Sequence, residues 1–436
     1  MVQLLIAMFF AVGIIGRYFA DKSNLSWMVV FSLVSPYIAV GSESIDSMYI
    51  MVLLTVACVA LKKKGKIKWV YNKRVTEYSR LLCAVMGVYM IAWILFSRRD
   101  FMVTLKTILG LAKLLMFVIL SLYMNNGYDK ETQYAQLRKG VYALIIVNAF
   151  ASVVQLNSVS YGIMIVEAFG RDNALSLLPV ITQWGRFSRC FGIMDTPMSY
   201  GIFSVLALFF IINDKNQRRP VVKYIMAALS MFCGIASASK SFLLGCVLVL
   251  AIKILIEFPM QKQKKALWGY LGVLVVVVLV VSMYDRIGEF IRDNFGSTYL
   301  YIWEFLSKPM EAFATRYSDD AELMGDTVDV IKEYWLLGVG PSSIKNERAI
   351  DSAFMNILHN GGVITLMIVL IYYARLAASC WKNKSILCIG FLILILFLGF
   401  GFQTWIAIGT AWPLVFVLLS DCGAAGISTP SLERGR

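Results

Sequence analysis

A chain of 436 residues that is 59% hydrophobic and only 16% charged is not a soluble globular domain, in which about a quarter of the residues are charged. A formal net charge of +14 would point to nucleic acid in a soluble protein. Here the basic residues collect in short loops between apolar runs, which is how orientation in a bilayer is encoded. Composition thus excludes a nucleic-acid partner and implies an all-α polytopic membrane protein.

A spanning helix needs about 20 apolar residues, with shorter cores tolerated. Taken in chain order, the candidate cores are 2–19, 25–41, 46–61, 81–97, 103–123, 140–157, 198–213, 224–238, 241–257, 267–283, 354–376, 386–402 and 404–420. These thirteen runs, the first three short and crowded, set an expectation of roughly 12–14 transmembrane helices. The first run has neither a basic n-region nor a small-residue cleavage site and is expected to be a retained helix. The eight cysteines fall mostly inside or beside apolar runs and form no CxxC pair, so they read as small buried hydrophobes.

Basic loops predict the topology. Residues 62–80, "KKKGKIKWVYNKRVTEYSR", hold eight Lys/Arg and one acid. "DKNQRRPVVK" (214–223), "QKQKK" (261–265) and "RLAASCWKNK" (375–384) are also basic. Placing all of them in the cytoplasm gives one alternating path. It sends two long segments, 158–197 and 284–353, to the outer face. The chain then divides into membrane helices over 1–283, a large extracytoplasmic loop over 284–353, C-terminal membrane helices over 354–420 and a cytoplasmic tail over 421–436. Residues 284–351 carry 13 of the 27 Asp/Glu against 7 Lys/Arg, and they are rich in aromatics. Met324, Val328, Ile331 and Trp335 recur at helical spacing after the capping signal Ser318-Asp319-Asp320, and Gly338 ends the pattern. This predicts an amphipathic helix packed on the membrane domain. A loop of this length is usually functional or disordered.

No GxxxxGK[ST], no GxGxxG and no metal-spaced cluster occurs, so neither nucleotide nor metal cofactor is expected. The candidate chemistry lies on the expected outer face. Arg186 and Arg189 stand at the mouth of the run 198–213, Lys240 in the turn "SASKS" (237–241), and Arg316 ahead of the amphipathic helix. Singly, each is an interfacial anchor or a salt-bridge partner. Together they suggest an anionic ligand such as a lipid diphosphate, which guanidinium forks suit. Lys106 and Lys113 lie seven residues apart on one helix face. Lys113, the deeper, is expected to face the bundle interior, as either a functional or a paired charge. His359, the only histidine, is either a base within reach of a hydroxyl or a structural ring.

The order of "SRCFGIMDTPMSYG", "SASKSFLLG", "TRYSDDAELMGDTVDVIKEYWLLGVGP" and "DSAFMNILHNGGVIT" resembles the bacterial superfamily of surface-polysaccharide polymerases and ligases. Its members are the Wzy-type O-antigen and capsule repeat-unit polymerases, the O-antigen ligases and related exopolysaccharide enzymes. Arg189, Gly192, Asp195 and Pro197 look like the family's Arg-x-x-Gly followed by Asn/Asp-x-Pro. Ser239-Lys240 stands where a Ser-Arg pair is usual. Arg316 precedes Gly338-Val339-Gly340 as a family arginine precedes its Gly-x-Gly. In the ligases a His-Asn type pair stands nine residues before a glycine. That frame puts Asp351-Ser352 in the pair's place, then Gly362 and Thr365, so His359 is not the ligase histidine. The departure favours a polymerase.

The resemblance, covering residues 140–420, implies inverting, metal-independent glycosyl transfer at the outer leaflet of a bacterial cytoplasmic membrane. Donor and acceptor would be oligosaccharide repeat units on undecaprenyl diphosphate. Membrane lipids and a chain-length regulator are the other partners implied. Arg186, Arg189, Lys240 and Arg316 would stabilise the leaving diphosphate. Asp351 or His359 would align the attacking hydroxyl and help remove its proton. The competing readings are a flippase for the same lipid-linked sugars and a ligase.

Overall fold

The computed structural model describes residues 2–40, 43–62, 73–97, 101–125, 128–169, 182–183, 186–214, 219–257, 325–341, 352–401, 404 and 411–421, with the single residues 272, 275, 286 and 289. Most of the expected run 267–283, the cap Ser318–Asp320, most of the loop 284–353 and the tail from 422 lie outside them.

The chain is a helical membrane protein. Segments Val2–Phe19, Arg74–Phe96, Thr104–Asn125, Glu131–Asn157 and Ala353–Lys382 are long and apolar enough to cross a membrane. In chain order the elements are α1 (Val2–Phe19), α2 (Leu25–Val34), the hairpin β1 (Tyr37–Val40) and β2 (Glu43–Asp46), α3 (Ser47–Lys62), α4 (Lys73–Ala92, closing in a wide turn Trp93–Ser97), α5 (Phe101–Asn125), α6 (Lys130–Asn157) and α7 (Val159–Ala168). There follow the short ladder β3 (Thr182–Gln183) with β4 (Arg186–Phe187), then α8 (Pro197–Asn213), α9 (Pro220–Ala236), α10 (Lys240–Ile252, closing in a wide turn Lys253–Glu257), α11 (Gly325–Glu333), α12 (Ala353–Lys382), α13 (Ile386–Leu398) and α14 (Ala411–Asp421).

The expected run 25–41 is not one helix. Pro36 has no N–H and biases the residue before it away from helical backbone; Ser35 takes φ −47°, ψ 111°. The chain turns there into a hairpin whose register pairs Tyr37 with Asp46 and Val40 with Glu43. Two further expectations shift. In the last apolar run, 404–420, Thr404 is in a turn and Ala411–Asp421 form a helix, and the expected outer loop 158–197 opens with a helix of its own, α7, capped by Ser158. Cys83 is exposed and Cys58 and Cys246 half-buried, so burial does not describe all the cysteines.

Helix α8 is the axis of the bundle. It is apolar on every side, the signature of a helix enclosed by others. It is buried from Tyr200 through Ile211, packed by α6, α9, α10 and α13. Gly390 on α13 lets the Phe209 ring approach to where a Cβ would stand 2.0 Å away. By contrast α1 exposes Leu5, Phe9 and Val12, a face suited to lipid.

Alternating helices define two ends. At the basic end, Lys62 pairs with Asp21 at 2.6 Å and Arg138 of α6 with Asp214 after α8 at 3.2 Å. Lys253 donates to Asn213 at 2.6 Å, and Arg74 of α4 bonds Ser379 of α12. The described parts of the basic stretches 62–80, 214–223 and 375–384 all fall here. The opposite end collects the start of α8, the end of α9, the start of α10 and the end of α13.

Candidate functional site

The segment carrying Arg189 is held by a polar stripe on α6. Asn148, Ser152 and Gln155, spaced four and three apart, are all fully buried. Gln155 Oε1 accepts the N–H groups of Phe191 (3.0 Å) and Gly192 (3.1 Å), and its Nε2 donates to Gly192 O at 2.9 Å. Asn148 Oδ1 accepts from Ile193 N at 2.8 Å. The backbone groups of a non-helical segment inside the bundle are thereby satisfied. Gly192 has φ +59°, and a Cβ there would stand 2.0 Å from Asn148 Oδ1. Only glycine permits that backbone and that approach. The chain then enters α8 through the cap Thr196, whose side chain accepts from Ser199 N, with Pro197 in the first turn.

The turn 237–241 lies against this segment. Cys190 N donates to Ala236 O at 2.9 Å, which brings the half-buried Arg189 and Lys240 to one neighbourhood. A Cβ on Gly201, one turn into α8, would stand 2.6 Å from that of Ser239. Lys240 opens α10.

The start of α12 reaches the same place by folding back. Gly362 has φ +61° and ψ −168°, so α12 is two helices, one on either side of it. The 20 residues after the break run about 30 Å, while the 13 residues of antiparallel α13 run about 20 Å. A straight α12 would carry Ala353 far beyond the end of α13. Instead Ala353 N donates to Gly399 O at 2.8 Å, Ser352 Oγ to the same oxygen at 3.3 Å, and Phe354 stacks on Phe400 at 4.2 Å. Ala353 is 0% and Ser352 1% exposed. Gly401 closes the circle, since its Cβ position is 3.8 Å from Ser241 Oγ.

Three helix N-termini, those of α8, α10 and the first half of α12, therefore meet at the end away from the basic loops. Helix N-termini carry partial positive charge and offer N–H donors, and Arg189 and Lys240 add full charges. The arrangement suits an anion.

The break is clamped by residues 335–340. Val363 N donates to Trp335 O (2.8 Å) and Ile364 N to Leu336 O (3.3 Å), while Val339 N donates to His359 O (2.8 Å) and Gly340 N to Asn360 O (3.1 Å). Two of the carbonyls and two of the amides that the interruption would orphan are thereby paired. Gly338-x-Gly340, seen in sequence, is what lets this strap lie on two backbones. A Cβ on Gly338 would be 2.4 Å from His359 O, and one on Gly340 2.6 Å from Trp93 Cα. The expected amphipathic helix exists as α11, but it ends at Glu333. Trp335, expected on its buried face, lies in the following turn and is 56% exposed, while its carbonyl accepts from Val363 N.

His359 belongs to this clamp. Its ring is 1% exposed, and Nδ1–H donates to Asn360 Oδ1 at 2.9 Å. Asn360 in turn donates to Asn356 at 3.0 Å. About 10 Å of half-helix separates it from Ala353. Lys113 is paired with Asp46, with side chains 13% and 7% exposed, and lies 4.7 Å from the Tyr49 ring centroid. Asp46 also accepts Met48 N at 2.9 Å at the start of α3. Lys106, expected on the same face, is exposed. Arg186 is in β4, where its backbone pairs with Gln183. Arg316 and Asp351 lie outside the described residues.

The stripe Asn148–Ser152–Gln155 was missed from sequence, although three polar residues on one face of an otherwise apolar span are a legible signal. No protein-family model matches the chain, and no curated protein matches it.

Proposed function

We propose that this protein is a polymerase of lipid-linked oligosaccharide repeat units, joining them into a surface polysaccharide by inverting, metal-independent glycosyl transfer. The observation that supports this reading is the meeting of the Arg189 segment, the Lys240 turn and the entry to α12 around three helix N-termini. These segments are far apart in sequence and resemble motifs of the polymerase and ligase superfamily. In this reading the place where these helix ends meet receives the diphosphate of an undecaprenyl carrier at the outer leaflet, and oriented N–H groups with Arg189 and Lys240 stabilise charge as it departs. Arg186 and Arg316 complete the cation set. Asp351, one residue before the buried Ser352, is the group that activates the acceptor hydroxyl. His359, enclosed in the clamp, positions the half-helix rather than meeting the sugar.

A flippase of the same lipid-linked sugars is the second reading. The broken α12 favours it, since interrupted helices build transporter sites. Extraction of lipid-linked sugars from cells lacking the protein separates the two. Single repeat units displayed outside the membrane are expected. Units stranded inside would establish the flippase, and long chains retained on the carrier would establish a ligase.

A further inference from the structure

At the basic end, α4 and α12 pack together, and between them lies a cavity of about 380 Å³. Its lining is graded along the helix axes. Arg74 and Arg80 on α4 and Arg375 on α12 line one part, and Ala84, Ile368 and Ile371 line the other. Arg74 to Ala84 is about 15 Å of helix and Arg375 back to Ile368 about 10 Å, so both helices pass from charged to apolar in the same direction, away from the basic end. Arg74 is engaged by Glu77 at 3.2 Å and by Ser379. Arg80 and Arg375 are exposed, and among the described residues neither forms an ion pair. Glu77 is the single carboxylate in the lining, so three guanidiniums leave the cavity with a charge of +2. Ile371 is 48% exposed and opens the apolar part sideways, where lipid lies.

A soluble anion would use the arginines and leave the apolar part empty. A detergent-like or zwitterionic lipid would fill the apolar part and leave the excess charge unmatched. A basic pocket between membrane helices, continued by an apolar wall, fits a molecule with an anionic head and a chain. We propose that this cavity binds one anionic phospholipid of the leaflet at the basic end, its phosphodiester held by Arg80 and Arg375 and an acyl chain laid along Ala84, Ile368 and Ile371. Guanidinium forks give the headgroup charge-assisted hydrogen bonds. The bound lipid braces the α4–α12 pair, whose far end meets the strap where Gly340 touches Trp93. The proposal is independent of the reaction at the other end.

The test uses the full chain purified in a mild detergent. Melting temperature is followed as phosphatidylglycerol, phosphatidylcholine of the same chains, or inorganic phosphate is added, and retained lipid is counted by native mass spectrometry. Phosphatidylglycerol is expected to raise the melting temperature and to remain as a one-to-one adduct, while the other two do neither. The Arg80→Gln/Arg375→Gln variant should bind it at least about tenfold more weakly, the loss of two charge-assisted contacts, with its lipid-free melting temperature unchanged. Ile368→Trp, which fills the apolar part and keeps every charge, should weaken binding as well. Equal stabilisation by phosphatidylcholine, an equal effect of phosphate alone, or native-like binding by both variants would overturn the proposal.

Discussion

The two ends of the bundle use positive charge differently. At the basic end, Arg138 meets a fully buried Asp214 carboxylate, Lys253 meets Asn213, and Lys223 donates to Ile212 O at 2.8 Å. These charges tie α6, α8, α9 and α10 to one another. At the opposite end the positive potential comes from oriented backbone, three helix N-termini that meet there, with Arg189 and Lys240 beside them. Charge spent on tying helices together needs partners from the same chain. Potential built from helix ends is already held in place by hydrogen bonds along each helix, and an anion from outside can use it without reorganisation.

The largest effects should follow from breaking that division at the end where the helix N-termini meet. Under the proposed function, Arg189→Ala and Lys240→Ala should each lower polysaccharide formation about 10²–10³-fold, the scale for removing one preorganised donor, with normal amounts of protein in the membrane. Chain length on a gel, beside an immunoblot of membranes, reads both. Near-normal chains in both variants would end the anion-site assignment. At the basic end the same truncation should act on stability. Asp214→Ala leaves Arg138 without its buried partner and should cost about 3 kcal/mol, the low end for such pairs because Arg138 keeps some solvent. The melting temperature of the purified protein measures it, and polysaccharide made per folded molecule should hold. Gly362→Ala comes next. Its φ of +61° and a Cβ 2.2 Å from Leu336 O should cost about 2 kcal/mol. The strap would lift, so the amides of Val363 and Ile364 should lose protection in hydrogen exchange while those of α8 keep theirs.

How far all this could be read from sequence depends on which forces set each feature. Apolar length alone located α1, α5 and α8 closely, because a helix is the cheapest way to satisfy backbone in lipid; for α6 it found the C-terminal end but not the polar first turns from Lys130. Pro36 was legible too, but a continuous apolar run outweighed it in the count of spans. The motif glycines were visible as motifs, and their reason was not. Gly192 answers to Asn148, 44 positions away, and Gly338 to His359. Spacing shows periodicity within an element and cannot show which element a residue will meet. The fold-back of α12 is the extreme case. Its sequence reads as one uninterrupted helix except for Gly361-Gly362, and the interruption is stable only because residues 335–340 supply its missing partners. His359 could be read either as a base or as a structural ring for the same reason: a lone histidine reveals its environment only when its neighbours are known.

Lys113 sharpens the comparison from a third place, the bundle interior between the two ends. Its ion pair with Asp46 resembles the basic end in kind, a charge matched within the chain. Removing one partner, as in Lys113→Ala, strands a buried carboxylate and should destabilise by about 3 kcal/mol or more. Removing both charges should cost far less, since apolar or neutral groups of similar volume often replace a buried pair without loss. Asp46 has a second task, accepting Met48 N–H at the start of α3, so the replacement must keep an acceptor there. Asp46→Asn with Lys113→Met does so. The double variant is expected within about 1 kcal/mol of the native melting behaviour and should make polysaccharide of native length. If it folds normally and makes none, the ammonium group of Lys113 takes part in the chemistry, and the division between tying charges and anion-binding ones fails in the middle of the membrane.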